Sequence, residues 1–146
     1  CHALGASYKY KNNYYKVGSC KHSDISTFSL HPLKTITTGE GGIATTNNKA
    51  IFEKMSMIRS HGIKRSFNKH WEYDVVISGL NLRLTEFQSA LGISQLKKMS
   101  KFIQKRKNIS LKYVKEIKKI KQVLPLELDN KYKSSYHLFK SGWWAG

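Results

Sequence analysis

Acid, cysteine and proline are scarce in this chain, and each scarcity narrows what it can be. Two cysteines, Cys1 and Cys20, are too few for a disulfide scaffold and fit a reducing compartment, which points to the cytoplasm. With His2 and His22 they match the composition of a zinc finger. The spacing is wrong, however, because neither Cys-x-x-Cys nor His-x-x-x-His occurs, so no metal site is expected. The two prolines, Pro32 and Pro125, stand where extended segments stop or run along an edge. No signal peptide is present and no apolar run is long enough to span a membrane. Internal repeats and low-complexity linkers are also missing. Nine Asp and Glu stand against 26 Lys and Arg, a formal net charge of +17. Such a balance raises nucleic acid or an acidic membrane surface as partners.

Where that charge lies argues against both partners. Eleven Lys and Arg fall within residues 97–121, with Glu116 the only acid there and Arg106 the only arginine. The block sits on a helical pattern and lacks the aromatic interleaving that stacks bases. It reads as a solvated helix face, with long lysine stems lying over apolar surface.

The 146 residues suit one domain. Residues 7–16 alternate Tyr and Lys, as a strand or an exposed loop, with a turn at Asn12-Asn13. These side chains could contact a sugar or phosphate, but an ordinary surface hairpin is the preferred reading. Ile51, Met55 and Ile58 fall at helical spacing, so residues 49–60 read as an amphipathic helix. Asn48 is its N-cap, and Gly62 after His61 takes the left-handed cap. A helix-end His61 is expected to be satisfied by the last carbonyls. Residues 63–78, with Trp71 and Tyr73, are loop-like. Thr85 caps a long helix from Glu86, with Phe87, Ala90, Leu91 and Ser94 on one face and Ile109, Tyr113, Ile117 and Ile120 continuing a stripe, with room for a bend between. Residues 123–128 and 136–139 read as extended segments.

Residues 28–47 organise the rest. A buried strand over residues 25–30 stops at His31-Pro32, and Lys34 follows. Thr37-Thr38-Gly39-Glu40-Gly41-Gly42 then leads into a second strand over residues 43–46. A lysine at a strand end, ringed by hydroxyls and glycines, is where an aldehyde cofactor can be held covalently. Hydroxyls and free backbone N–H groups suit its phosphate.

This stretch resembles the cofactor-lysine segment of the DegT/DnrJ/EryC1/StrS sugar aminotransferases, the fold type I enzymes that use pyridoxal 5'-phosphate. Ser29, His31, Pro32, Lys34, Gly39, Glu40, Gly41 and Gly42 fall on the family's pattern. Cys1-His2-Ala3-Leu4-Gly5-Ala6 resembles its Glu-Asp-x-x-His-Ala-x-Gly segment with the front cut off. Gly79-Leu80-Asn81-Leu82-Arg83 resembles its Gly-x-Asn-x-Arg segment. The nearest resemblance is to members that aminate a 4-keto nucleotide sugar on the route to pseudaminic acid, and it covers residues 1–139.

The resemblance implies an α/β fold: residues 1–84 as the C-terminal part of a cofactor-binding large domain, 85–121 as a long interdomain helix, 122–139 as the start of a small domain, and 140–146 as an atypical tail. It implies that Lys34 forms a Schiff base with the cofactor and afterwards moves the proton between the donor's α-carbon and the cofactor, which requires a neutral amine. Ser29 is assigned to the cofactor phosphate, Asn81 to the partner subunit's cofactor phosphate, and His2 to a place beside the cofactor ring. The expected amino donor is glutamate, the acceptor a UDP-linked keto sugar, and the assembly a homodimer, without nucleic acid or membrane. The family aspartate that protonates the ring nitrogen would stand two positions before Cys1. A chain starting mid-protein, most of its small domain missing, is expected to have little activity alone. Two other classes remain beside this reading: a basic nucleic-acid-binding module, and a non-catalytic dimerising remnant.

Overall fold

The computed structural model describes residues 1–65, 69, 71–126 and 129–143. Parts of three sequence expectations lie outside the described residues: 66–68 and 70 of the loop, 127–128 of the extended segment, and 144–146 of the tail. The described residues form strands β1 (Ser7–Tyr10), β2 (Asn13–Lys16), β3 (Ser26–Ser29) and β4 (Gly42–Thr45), helix α1 (Lys49–Arg59), strands β5 (Ile63–Arg65) and β6 (Tyr73–Val75), helix α2 (Glu86–Ile117), and strands β7 (Val123–Pro125), β8 (Tyr132–Lys133) and β9 (Ser141–Trp143). They pair as β2-β1-β8, β3-β4, β5-β6 and β7-β9, all antiparallel. No helix among them is long and apolar enough to cross a membrane.

The β1–β2 hairpin closes through Lys11-Asn12, because Tyr10 pairs with Asn13 and Lys11 has φ of 52°. The turn therefore lies one residue earlier than expected. A left-handed first loop residue matches the twist of the flanking strands, and Asn13 is free to open β2. Tyr8 and Tyr15 are cross-strand partners stacked at 5.9 Å. The Tyr8 hydroxyl meets His22 Nδ1 at 2.8 Å. Tyr8, Tyr10 and Tyr15 thus gather on His22, in keeping with a surface hairpin.

The core lies under the lysine-bearing loop. Phe28, Leu30 and Ile36 are its buried apolar residues, joined by Thr35 and Thr38. Each apolar side chain withdrawn from water contributes about 1.5–3 kcal/mol, so this loop's base is the best-held part of the described chain. Ser29 pairs with Gly42, which makes residues 30–41 a long connection between β3 and β4. Its base is tied by Leu30 N–H to Gly41 O at 2.9 Å, and by Thr38 N–H and the Thr37 hydroxyl, both donating to Leu30 O.

Asn48 caps α1 as expected, accepting from the Ile51 N–H at 3.2 Å. At the other end His61, with φ of 67°, takes the first left-handed position, and Gly62 follows at 69°. The Gly62 N–H reaches back to Met57 O at 2.9 Å. The His61 N–H bonds Leu80 O and not the helix's last carbonyls, and its ring is exposed. Residues 63–65 and 73–75 form a hairpin where a loop was expected. Both strands are largely exposed, so no inside–outside alternation marked them.

Helix α2 is one continuous element of 32 residues, opened by a capping box between Thr85 and Gln88. It ends at Ile117, leaving Ile120 outside. Its packed face is not the expected one. Phe87 is 90% exposed, while Gln88, Gly92, Gln95, Met99, Ile103 and Arg106 turn inward. Gly92 is the reason for the close approach: a Cβ there would lie 2.9 Å from Thr38 Cγ2. The lysines of residues 97–121 are all exposed, as expected of a solvated face.

Residues 136–139 form no strand. Tyr136 has φ of 52°, and its N–H is taken by the Ser134 hydroxyl at 2.9 Å, which breaks the extended run. The strand comes later, as β9 pairing β7, within residues expected to be an atypical tail. Strand β8 pairs β1, and so returns the chain to the N-terminal hairpin.

Candidate functional site

Lys34 sits on the loop over the core, its backbone set from three sides. Pro32 ends the strand direction, and the Leu33 N–H donates to His31 Nδ1 at 3.3 Å. The Lys34 N–H donates to His31 O at 2.9 Å. The Lys34 carbonyl accepts from Arg106 Nη2 at 3.2 Å. The side chain then runs to His2, with Nζ 2.9 Å from Nε2. His2 is held by its neighbours: the Ser29 N–H donates to Cys1 O, and the buried Ser135 hydroxyl donates to His2 O.

The His2 ring also lies 4.6 Å from that of His137. These groups and Leu33, Tyr136 and Leu138 line an open cleft of about 450 Å³. The Lys34 cation, then partial desolvation, lowers the pKa of His2 below 6.5. Burial, then His2, Lys34 and Arg106, lowers that of His137. Both shifts disfavour the protonated imidazoles. The Lys34 amine thus lies within hydrogen-bond distance of His2 Nε2, and no described carboxylate pairs with that amine.

Ser29 lies at the foot of the loop, where its hydroxyl oxygen accepts from the His31 N–H at 3.3 Å and leaves its own proton to donate. Asn81 is separate from this group. It forms an isolated backbone bridge with Ser60, and its side chain is exposed. The structure thus brings His2 to Lys34, holds Ser29 at the same loop's foot, and leaves Asn81 facing outward. Gly41 lets the loop close, as φ of 151° and a neighbouring Thr38 Oγ1 leave no room for a Cβ. Among the described residues no group of three or more His, Cys, Asp or Glu could hold a metal ion.

Arg106 and His137 were not singled out from the sequence. Arg106 was one cation in a block of eleven, and His137 stood in an apolar run. The available signal was spacing, since Gly92, Gln95, Met99 and Arg106 follow a helical period on one face.

Residues 1–142 match the sequence profile of the DegT/DnrJ/EryC1/StrS aminotransferase family. The chain belongs to that family. Among its relatives, the Campylobacter jejuni UDP-4-amino-4,6-dideoxy-N-acetyl-beta-L-altrosamine transaminase is 43% identical over 138 residues, which are 94% of this chain and 35% of that protein. Helicobacter pylori PseC, an aminotransferase involved in the biosynthesis of pseudoaminic acid, superposes with a TM-score of 0.87 at 42% identity. The match covers 99% of this chain and 37% of PseC. The PLP-form of a putative sugar aminotransferase from Streptococcus pneumoniae, Spr1654, superposes with a TM-score of 0.79 at 27% identity, over 99% of this chain and 36% of that one. This DegT/DnrJ/EryC1/StrS chain thus spans about a third of the length of the relatives it matches, and its α/β architecture is that of an aminotransferase portion.

Proposed function

We propose that the chain supplies the cofactor lysine and its surroundings to a pyridoxal-phosphate-dependent aminotransferase, which moves an amino group from glutamate to a UDP-linked 4-keto sugar in the making of a bacterial surface amino sugar. One observation carries it: the Lys34 amine lies 2.9 Å from an imidazole nitrogen whose protonated form is disfavoured, with no described carboxylate to hold it as an ion pair. The donor set suits the cofactor. A primary amine answers its aldehyde, the Ser29 hydroxyl proton answers its phosphate, and the Arg106 cation beside the Lys34 carbonyl favours an anion in the cleft. When bound, the cofactor supplies an electron sink that makes the donor's α-proton removable.

The chain's own residues do the rest. Lys34 Nζ would hold the cofactor covalently and, once released, would move the donor's α-proton. His2 Nε2 lies within reach to accept a proton from Nζ. His2 would also stand beside the cofactor ring. Ser29 binds the cofactor phosphate, and Asn81, exposed on its bridge, reaches the phosphate of a partner subunit in a homodimer. Residues 1–84 belong to the large domain, 85–121 to the interdomain helix and 122–139 to the small domain. Exposed apolar side chains such as Phe87, Leu82 and Val75 support a larger assembly that covers them. The cytoplasm, where nucleotide sugars are made, suits the two free cysteines.

The test is turnover. The whole protein, given pyridoxal phosphate, glutamate and a UDP-linked 4-keto sugar, aminates the sugar, and Lys34→Ala reduces the rate to background. The 146-residue chain alone shows little or none. Full turnover by Lys34→Ala contradicts the proposal. Family membership favours this reading over a nucleic-acid-binding module.

A further inference from the structure

Arg106 differs from its ten neighbours in the basic block. It alone is half-buried, and it points at the lysine loop. Its guanidinium spans two segments far apart in sequence: Nη2 donates to Lys34 O at 3.2 Å, and Nη1 lies 3.4 Å from His137 Nδ1 and 3.5 Å from His137 O. The His137 ring lies tilted against that of His2 at 4.6 Å, and His2 Nε2 lies 2.9 Å from the Lys34 amine. The contacts close a ring in which one residue of α2 touches both the backbone of Lys34 and the imidazole pair that receives its amine.

We propose that Arg106 is a positioning residue for Lys34: its planar fork holds the Lys34 carbonyl and the His137 segment together, and so sets where the amine reaches. The fork geometry matters. A guanidinium can serve two acceptors in fixed directions, whereas an ammonium is a single charge centre on a flexible stem. Helix α2 delivers the fork because Gly92 lets it lie close to Thr38 of the same loop, about four helical turns before Arg106. With Arg106 shortened, the Lys34 carbonyl loses its donor and the loop's outer end is fixed only by the His31 turn.

The inference rests on the function proposed above for its cofactor arm, and has a second arm that does not. In the first, the whole protein is titrated with pyridoxal phosphate and reduced with borohydride, and the labelled lysines are mapped by mass. Arg106→Ala is expected to lower the Lys34 adduct at sub-saturating cofactor by roughly tenfold, the size of one lost charge-assisted hydrogen bond. Adducts on exposed lysines such as Lys101 stay unchanged, and Arg106→Lys recovers part of the loss. In the second arm the cofactor-free protein is compared by NMR. The His2 ring signals of Arg106→Ala move toward those of Lys34→Met, because the amine no longer rests on Nε2. Unchanged His2 signals in Arg106→Ala overturn the proposal whatever the cofactor does. So does a fall in the adduct that tracks lost thermal stability with no recovery in Arg106→Lys. If the unaltered protein shows no preference for Lys34 while its His2 signals respond as expected, the functional reading fails and the positioning role stands.

Discussion

Replacing Gly41 by alanine tests how the lysine loop is closed. Gly41 has φ of 151°, a region that side chains rarely enter. A Cβ there would lie 2.5 Å from Thr38 Oγ1 and 2.8 Å from Leu84 Cδ2. Thr38 cannot easily yield, because it is 3% exposed and its hydroxyl donates to Glu40 O at 2.7 Å. Backbone strain of about 1–3 kcal/mol and overpacking of about 1–3 kcal/mol overlap in part, so a net loss of about 3 kcal/mol is expected. The same change at Gly39 is the control. Its φ is 82°, but nothing lies within 4 Å of the added methyl. Only the left-handed cost of about 1–2 kcal/mol applies there. Urea unfolding of the whole protein followed by circular dichroism separates the two through their midpoints. The Gly41 O accepts from Leu30 N–H at the loop's base, so the Lys34 adduct should weaken as well. If Gly41→Ala costs no more than Gly39→Ala, the close-packing argument is wrong.

Two further predictions concern the helix and the site. Thr85→Ala removes the hydroxyl that accepts from the Gln88 N–H, and should cost about 1 kcal/mol in the same unfolding assay. An unchanged midpoint contradicts the capping box as a source of stability. Lys34→Met removes the cation that most lowers the His2 pKa, so the His2 value should rise toward 6.5 and its protonated fraction near neutral pH should increase. An NMR titration of the His2 ring measures this, and a fall or no change refutes the electrostatic picture.

The parts legible from the sequence are those in which local chemistry agrees with the final structure. Asn48 and Thr85 announce their helices because a cap is a contact across three residues. The strand before His31-Pro32 is legible because Phe28 and Leu30 are both apolar and buried. The grouping of His2, Lys34 and Ser29 is expected only through the family's pattern, since no local rule unites residues 32 positions apart. The misread elements depend on tertiary context. The packed face of α2 follows Gly92 and Arg106, neither of which a hydrophobic stripe would select, while the stripe from Phe87 faces outward. The β5–β6 hairpin has no buried face to impose alternation. Tyr136 breaks an apolar run through a left-handed backbone angle that its residue type does not advertise. His137 acquires its place from Arg106, which reaches it across 31 residues of chain.

The most direct measurement is the mass of the lysine peptide after borohydride reduction of the whole protein in the presence of pyridoxal phosphate. The account predicts a reduced cofactor adduct on Lys34 at concentrations too low to label surface lysines, and its loss in Lys34→Ala with no new site replacing it. A cofactor-bound protein whose adduct sits on another lysine, or survives that substitution, contradicts it.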